Sequence, residues 1–382
     1  TLLVWWLMLD APLNFAIERM VTVMVVACPH ALGLAVPLVV AVSTSLSASN
    51  GLLIRDRAAF ERARRLDAVV FDKTGTLTEG RFGVSDIVLL QEGDESQELA
   101  FAAAAESQSE HPIAHGIVAE AKRRGIALPK ASEVSNITGE GIVAVVGDVR
   151  VRIVSPGHLA RQGNAITHER LGQLESAGKT VVVLERDGQA RALFALADIV
   201  RPESKEAIAE LTRLGIRSVM LTGDARGVAE SVSKELGISE YFAEVLPDQK
   251  SEKIRELQAR GLSVAIVGDG VNDAPALVQA DLGVAIGAGT DVAVESADVV
   301  LVRSDPRDVG AILGLSRATY RKMVQNLIWA TGYNTVAVPM AAGITFGTGF
   351  LMTPAIAAVF MSASTVIVAI NAQLLRFYRR HA

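Results

Sequence analysis

The sequence predicts a multidomain protein in which α-helical membrane spans flank a parallel α/β domain, with a second, α+β domain inserted into it. Long apolar segments lie near both ends of the 382-residue chain, and a spanning helix needs about 20 such residues. Between them, short apolar runs that end in turn-forming residues alternate with helical patterns, which is typical of a parallel sheet. One stretch interrupts this alternation and indicates the insertion.

The composition agrees with a protein that lies partly in a membrane. Half of the residues are hydrophobic, and the mean hydropathy is +0.34. We therefore expect membrane lipid around the apolar segments. The formal charge of −5, without a basic stripe, argues against nucleic acid as a partner. Cys28 is the one cysteine, which excludes a disulfide within the chain.

The first apolar segments contain a candidate metal site. Residues 1–9 are too short to span a bilayer and are interpreted as the end of a truncated membrane helix, whereas residues 20–46 are long enough for a transmembrane helix. Inside the latter, Pro29 removes a helix hydrogen bond, and local unwinding would let Cys28 and His30 converge on one ion. Thiolate and imidazole suit copper, silver or zinc. The alternative is a kinked helix with a buried cysteine and a helix-bonded histidine.

A candidate nucleophile follows the first span. Residues 50–65 form a polar linker whose basic charges mark this side of the membrane as cytoplasmic. The apolar run 68–71 predicts a buried strand that ends at Asp72, followed by Lys73 and Thr74. Open α/β sheets place their chemistry at such strand ends, and a carboxylate there can take a phosphoryl group as an acyl phosphate. The alternative is an ordinary turn that begins with aspartate.

The inserted domain is predicted over residues 91–189, between the two parts of the α/β domain at 66–90 and 190–310. Glycine lets the backbone approach a ligand closely, and polar residues at a helix junction add to a candidate nucleotide pocket. For His111, a helix cap is the alternative. The candidate residues of this pocket are Glu106, His111, Pro112, Gly139 and Gly141.

Two further strand ends in the second part of the α/β domain carry polar residues. Strand 216–221 runs into Thr222, Gly223 and Asp224, whose hydroxyl and amide groups can hold phosphate oxygens. Strand 262–267 runs into a glycine turn whose carboxylates suit magnesium, and a lysine between the two strands offers a point charge. These last residues are Lys250, Asp269, Asn272 and Asp273. Each piece alone fits a polar turn, but together with Asp72 they indicate one site.

The chain returns to the membrane near its end. Residues 323–342 and 354–375 are predicted transmembrane helices, and residues 376–382 form a basic cytoplasmic tail. Polar side chains within these spans either bind the transported ion or join helices by hydrogen bonds, and for Ser364 and Asn371 the two interpretations are even. The candidate ion ligands here are Tyr333, Asn334, Met361 and Ser364.

Taken together, these motifs resemble the P-type ATPases, specifically the heavy-metal-transporting branch, and within it the copper-exporting pumps with a Cys-Pro-His ion motif. The resemblance rests on residues 72–76, 222–224, 268–273, 109–112 and 28–30. It implies a haloacid-dehalogenase-like phosphorylation domain with an inserted nucleotide-binding domain. It also implies ATP hydrolysis coupled to copper or silver export, in a cell-membrane protein with cytoplasmic catalytic domains.

The resemblance also implies roles for the candidate residues. Asp72 is the phosphorylated aspartate, and Asp269, with Asp72 and the Thr74 carbonyl, holds Mg²⁺ with support from Asp273. Lys250 and Thr222 contact the phosphoryl group. The ATP ligands are Glu106, His111, Gly139 and Gly141.

Two departures from related patterns bear on turnover. Aspartate phosphatases carry a second aspartate where this chain has Thr74, so an acyl phosphate should persist here long enough to drive a conformational change. The Thr-Gly-Glu actuator of such pumps is expected before the ion helix, and Thr138-Gly139-Glu140 is interpreted as part of the nucleotide loop. We therefore expect turnover to need an actuator domain and earlier membrane helices that are missing from these residues. The alternatives are a zinc pump, a phosphorylatable fragment without transport, and a membrane-anchored aspartate phosphatase.

Overall fold

A computed structural model describes residues 1–109, 111–137, 141–287 and 291–377. The chain forms two compact units. The helical unit comprises Thr1–Leu66, Asp298–Arg303 and Asp308–Ala382, and the sheet unit comprises Asp67–Ala297 and Ser304–Arg307.

The described helices and strands are as follows in chain order. The helices are α1 (Leu13–Ala27), α2 (His30–Ala35), α3 (Pro37–Ser49), α4 (Arg57–Arg62), α5 (Glu95–Glu106), α6 (Pro112–Arg123), α7 (Pro156–Arg161), α8 (Glu169–Ser176), α9 (Pro202–Arg213), α10 (Arg226–Leu236), α11 (Lys250–Ala259), α12 (Ala274–Gln279), α13 (Asp291–Ser296), α14 (Asp308–Ala342) and α15 (Pro354–Gln373). The strands are β1 (Leu52–Ile54), β2 (Ala68–Asp72), β3 (Thr78–Leu89), β4 (Ala131–Ile137), β5 (Gly141–Val146), β6 (Val149–Val154), β7 (Thr180–Arg186), β8 (Gln189–Val200), β9 (Arg217–Leu221), β10 (Glu240–Phe242), β11 (Val264–Gly268), β12 (Leu282–Ile286) and β13 (Val299–Leu301).

In the helical unit, the first predicted span is broken where its prolines lie. α1 ends at Ala27, Cys28 is extended, and α2 begins at His30 after Pro29. A second break precedes Pro37. Proline supplies no N–H for the helix ladder and clashes with the preceding turn. The predicted unwinding at Cys28 is therefore present, although the apolar segment begins at Leu13 and not at residue 20.

Two described segments are long and apolar enough to cross a membrane, Leu13–Ser49 and Pro354–Phe377. The second contains the predicted span 354–375. The predicted span 323–342 is the second part of α14, a 35-residue helix, and it does not meet the same criterion. Polar residues, among them Asn326 and Asn334, interrupt its apolar sequence. The helical unit also holds a short antiparallel pair, β1 with β13.

In the sheet unit, β2 is a central strand of a parallel sheet with the order β12-β11-β2-β9-β10. All five residues of β2 and of β11 are buried, as their continuous apolar sequences predict. The register pairs Asp72 with Leu221 and Phe71 with Val267. The residues that follow β9 and β11 therefore lie beside Asp72.

The second sheet of this unit is antiparallel, with the order β3-β8-β7-β6-β5-β4. Helices α5 and α6 pack in one apolar cluster against it, and α7 and α8 pack in another. The predicted domain boundaries at 91 and 189 need correction, because β3 and β8 pair with each other and belong to this sheet. Both are 12-residue strands that run from the turn after Asp72 into the insertion. With this change, the predicted fold class is confirmed.

Candidate active site

Asp72 stands at the carboxyl end of β2 with 6% of its surface exposed. Lys250, the first residue of α11, places its Nζ 2.5 Å from Asp72 Oδ1 and 2.7 Å from Asp273 Oδ1. Lys250 and Asp273 are also buried. The topology thus brings three residues that are far apart in sequence into one hydrogen-bonded group.

The third carboxylate belongs to Asp269, which lies against a turn at Gly75 where there is no room for a side chain. The chain turns sharply after Lys73, and Gly75 has φ +76°, a conformation that glycine adopts without steric cost. A Cβ at this position would lie 1.9 Å from Asp269 Oδ2. Only glycine therefore lets Asp269 lie against this turn.

The electrostatics of the group show an excess of negative charge. Burial, and then the nearby charge of Asp273, raise the pKa of Asp72 to about 7, although Lys250 opposes the shift. Burial and Asp273 likewise raise the pKa of Asp269. Burial disfavours the Lys250 ammonium, but Asp72 and Asp273 outweigh it and raise the pKa of this lysine. Three carboxylates share one ammonium, so a further cation would be stabilised here.

The residues present fit magnesium. One carboxylate oxygen from each of Asp72, Asp269 and Asp273 lies within 4.8 Å of the others. Magnesium is a hard cation that binds oxygen ligands and often uses only one or two carboxylates. The part played by the Thr74 carbonyl remains a prediction.

A second charge cluster holds the turn and includes residues that the sequence did not single out. Lys73 Nζ lies 3.1 Å from Asp198 and 3.0 Å from Asp224, so Lys73 pairs with these carboxylates, while Lys250 is the lysine at Asp72. Thr78 Oγ1 donates to Asp198 at 2.5 Å, and Arg201 donates to the carbonyl oxygens of Gly75 and Thr76. Asp198 lies near the end of β8, and Arg201 lies just beyond it. Their place at a strand end is the one sequence signal that could have indicated them as site residues.

Thr222 is buried directly after β9, and its Oγ1 donates to Asp224 Oδ2 at 2.8 Å. Gly223 is exposed beside it. Asn272 lies in a short 3₁₀ turn and is exposed. These residues line the same end of the sheet as Asp72, because the register places Leu221 beside it.

Three candidate nucleotide residues lie at helix ends: Glu106 is the last residue of α5, and His111 and Pro112 lie at the start of α6. Burial raises the pKa of Glu106 to about 7, with an opposing hydrogen bond from Ser109. His111 Nδ1 accepts from the N–H of Ile113, and Pro112 is the first residue of α6, so the imidazole caps this helix. At Gly141, a Cβ would lie 2.1 Å from the Ile153 carbonyl oxygen, a structural reason for glycine. Gly139 lies outside the described residues.

In the helical unit, the unwound motif brings its two candidate ligand side chains together. Cys28 Sγ and His30 Nε2 are 3.0 Å apart. Tyr333 Oη and Ser364 Oγ are buried and have no hydrogen-bond partner within the described ranges. Asn334 and Met361 are half-buried.

Comparison with known proteins identifies relatives along nearly the whole chain. The family model described as haloacid dehalogenase-like hydrolase matches residues 66–281. The "Copper-exporting P-type ATPase B" of Archaeoglobus fulgidus is 59% identical over 371 residues, which are 97% of this chain and 53% of that protein. The protein of the same name from Enterococcus hirae is 48% identical over 97% of this chain and 50% of its own length. The chain spans about half the length of the curated relatives it matches.

Solved structures agree. A zinc-transporting PIB-type ATPase is 36% identical with a TM-score of 0.83, covering 98% of this chain and 60% of that chain. The catalytic domain of the CPx-ATPase CopB-B is 32% identical with a TM-score of 0.51, covering 71% of this chain and 97% of that chain. The family model covers more than half of the sequence, and the charge cluster lies within it. The chain thus belongs to the haloacid dehalogenase-like hydrolases, and the curated relatives that it matches over 97% of its length are named P-type ATPases.

Proposed function

We propose that the intact protein exports copper, or the similar silver ion, by forming and breaking an aspartyl phosphate at Asp72. The observation that carries this proposal is the buried contact of Lys250 with both Asp72 and Asp273. It places one cation against the carboxylate at the strand end where a phosphoryl group would bind. The copper-exporting relatives support the choice of ion.

The chemical step uses the groups in this site. An oxygen of Asp72 forms a bond to the γ-phosphorus of ATP, the bond from that phosphorus to its bridging oxygen breaks, and ADP leaves. Lys250 offsets the charge of the transferred group, and Thr222 donates a hydrogen bond to it. Asp72, Asp269 and the Thr74 carbonyl would hold Mg²⁺ with support from Asp273, and the ion would neutralise phosphate charge.

The lifetime of the acyl phosphate follows from the residue two positions after Asp72. The hydroxyl of Thr74 acts neither as a general acid nor as a general base near neutral pH. Water attack therefore needs a group from another domain, and the phosphorylated state has time to drive a conformational change. We place ATP in the pocket that contains Glu106, His111, Pro112, Gly139 and Gly141.

For the transported ion we propose Cys28 and His30 as ligands, completed by residues of α14 and α15. Thiolate and imidazole favour soft and borderline metals. Tyr333 and Ser364 each carry a buried hydroxyl without a hydrogen-bond partner among the described residues. This is expected of groups that bind a ligand, or each other, in another conformation. Asn334 and Met361 complete the proposed set.

The test is metal-dependent ATP hydrolysis by the full-length protein in detergent, with copper(I), copper(II), silver and zinc titrated separately. Copper or silver should stimulate the wild type, and Cys28→Ala should lose the stimulation yet still accept phosphate from inorganic phosphate. Thr335→Ala is the control, because the hydroxyl of this exposed threonine donates to the Thr331 carbonyl oxygen within α14. Metal stimulation that survives in Cys28→Ala would remove the motif from the ion site.

Zinc is the second candidate ion, because the zinc-transporting neighbour matches 98% of this chain and zinc accepts both thiolate and imidazole. Stimulation by zinc alone would replace copper in the proposal. Release of phosphate from simple esters without any metal stimulation would instead favour a membrane-anchored phosphatase. A phosphoenzyme that forms but does not turn over would fit a phosphorylatable fragment.

A further inference from the structure

An open groove of about 510 Å³ lies between α14 and α15 in the helical unit. One part of its wall is apolar and exposed: Trp329 is 45%, Ile370 55% and Leu374 46% accessible. The other part is polar and includes Lys322 and Asn371. We call it the α14–α15 groove.

The polar part is fixed by a chain of hydrogen bonds. Asn326 is 1% exposed, and its Nδ2 donates to the backbone oxygens of Ala35 at 3.1 Å and Val368 at 3.4 Å. Its Oδ1 accepts from Asn371 Nδ2 at 2.8 Å. Asn371 Oδ1 in turn accepts from Lys322 Nζ at 2.8 Å. Both amides are therefore oriented, and the lysine amine is held at the mouth of the groove.

The positive charge of Lys322 is not matched within the groove. Its bonded partner, Asn371, is a neutral amide, and across the described ranges no carboxylate pairs with this lysine. An ammonium offers three N–H donors, so at least one donor and the whole charge remain for a ligand. Holding a half-buried ammonium without an anion is unfavourable, and an anionic ligand would relieve this.

Lys322 also stands at a defined level of the helix. Together with Arg321 it precedes the predicted span 323–342, and basic residues beside a span mark its cytoplasmic end. The amine therefore lies at the level of lipid headgroups, and the apolar wall continues from it toward the acyl chains. Basic pockets between membrane helices on the cytoplasmic side bind anionic headgroups.

We propose that the α14–α15 groove binds one anionic phospholipid of the cytoplasmic leaflet. Its phosphodiester accepts from Lys322 Nζ, and one acyl chain lies along Trp329 and Ile370. The Asn326–Asn371 relay positions the amine for the headgroup. A zwitterionic lipid has the same phosphate, but its own cation competes with the lysine, so charge complementarity favours a net negative headgroup. The proposal requires the membrane location of α14 and is independent of the transported ion.

The experiment uses quenching of tryptophan fluorescence by lipids with brominated acyl chains, in the full-length protein in detergent micelles. Subtracting the signal of Trp329→Phe from that of the wild type isolates Trp329. Brominated phosphatidylglycerol should quench this difference signal at an about fivefold lower mole fraction than brominated phosphatidylcholine, the preference expected for one lysine near a membrane surface.

Variants separate a site from general surface charge. Lys322→Gln should remove the fivefold preference, whereas Lys322→Arg should retain most of it. The matched control is Arg321→Gln, an exposed neighbour outside the groove, which should leave the preference unchanged. Equal quenching by the two lipids, or an equal loss in Arg321→Gln and Lys322→Gln, would overturn the anionic site. No quenching of Trp329 by either lipid would show that another part of the protein covers the groove.

Discussion

The candidate ligand-binding side chains are already in contact and buried in the sheet unit, but less so in the helical unit. In the sheet unit, Asp72, Lys250 and Asp273 are 6%, 7% and 2% exposed and already contact one another. In the helical unit, Cys28 and His30 lie within hydrogen-bond distance of each other, His30 is exposed, and the polar groups of Tyr333 and Ser364 have no described hydrogen-bond partner.

The difference follows from how each fold places side chains. Parallel strands end at one edge of their sheet, so residues from distant parts of the chain meet there without further movement. In the helical unit, Cys28 and His30 meet because the helix is broken between them, and the other candidate ligands depend on how neighbouring helices pack. The carboxylate cluster around Asp72 is thus built by topology, whereas the candidate ion ligands depend on helix packing. Such a division would suit the proposed pump, whose ion affinity must change.

The strongest test of a topologically built site is removal of its central group. Asp72→Asn should lower acid-stable labelling by radioactive ATP by more than about 1000-fold, because an amide cannot form the acyl phosphate. The control is Asp67→Asn just before the same strand, since the Asp67 carboxylate accepts from the Ser263 backbone N–H and lies at the opposite end of β2 from Asp72. Labelling that persists in Asp72→Asn would move the nucleophile elsewhere.

The next test removes the cation that joins the two carboxylates. Lys250→Ala leaves Asp72 and Asp273 buried without compensation, which should destabilise the fold by about 3–5 kcal/mol and slow phosphorylation by about 100-fold or more. Thermal unfolding and the rate of labelling measure the two effects. Lys253→Ala, one turn later with a solvent-exposed partner in Glu256, is the matched control. Equal losses in both variants would show that this contact is not special.

A finer test separates backbone strain from carboxylate placement at the turn. Gly75→Ala and Gly80→Ala meet the same penalty, since their φ values are +76° and +70°. A Cβ at Gly75 would lie 1.9 Å from Asp269, whereas at Gly80 the nearest atom is 3.6 Å away. Each change should cost about 1 kcal/mol of stability, but only Gly75→Ala should weaken magnesium binding, measured by the magnesium dependence of labelling. Equal magnesium dependence would contradict the proposed role of Asp269.

The sequence predicted much of this arrangement, because the relevant signals are local. The continuous apolar run before Asp72 predicts the end of a strand. The proline after Cys28 predicts a break in the helix. The sequence did not predict Asp198 and Arg201 as site residues. Their contacts, with Lys73 and with the Gly75 carbonyl, depend on pairing across about 125 residues of chain. For the same reason, the predicted domain boundaries placed residues 78–90 and 190–200 in the phosphorylation domain, whereas β3 and β8 belong to the antiparallel sheet. Nothing local tells a strand which sheet it will join.

The smallest expected effect concerns Glu106, a buried carboxylate whose pKa, unlike that of Asp72, is not lowered by a lysine among the described residues. Burial raises its pKa from 4.5 to about 7, so the folded state holds the proton more tightly than the unfolded chain. The stability linked to this proton is present below pH 4.5 and is lost as the pH rises to 7, amounting to about 1–3 kcal/mol. Glu106→Gln cannot ionise, so its melting temperature should equal that of the wild type near pH 5 and exceed it by several degrees at pH 8. Glu256→Gln, an exposed carboxylate with a lowered pKa, should show no such gain at pH 8. A melting-temperature difference for Glu106→Gln that does not change with pH would mean that burial does not raise the pKa of this carboxyl group.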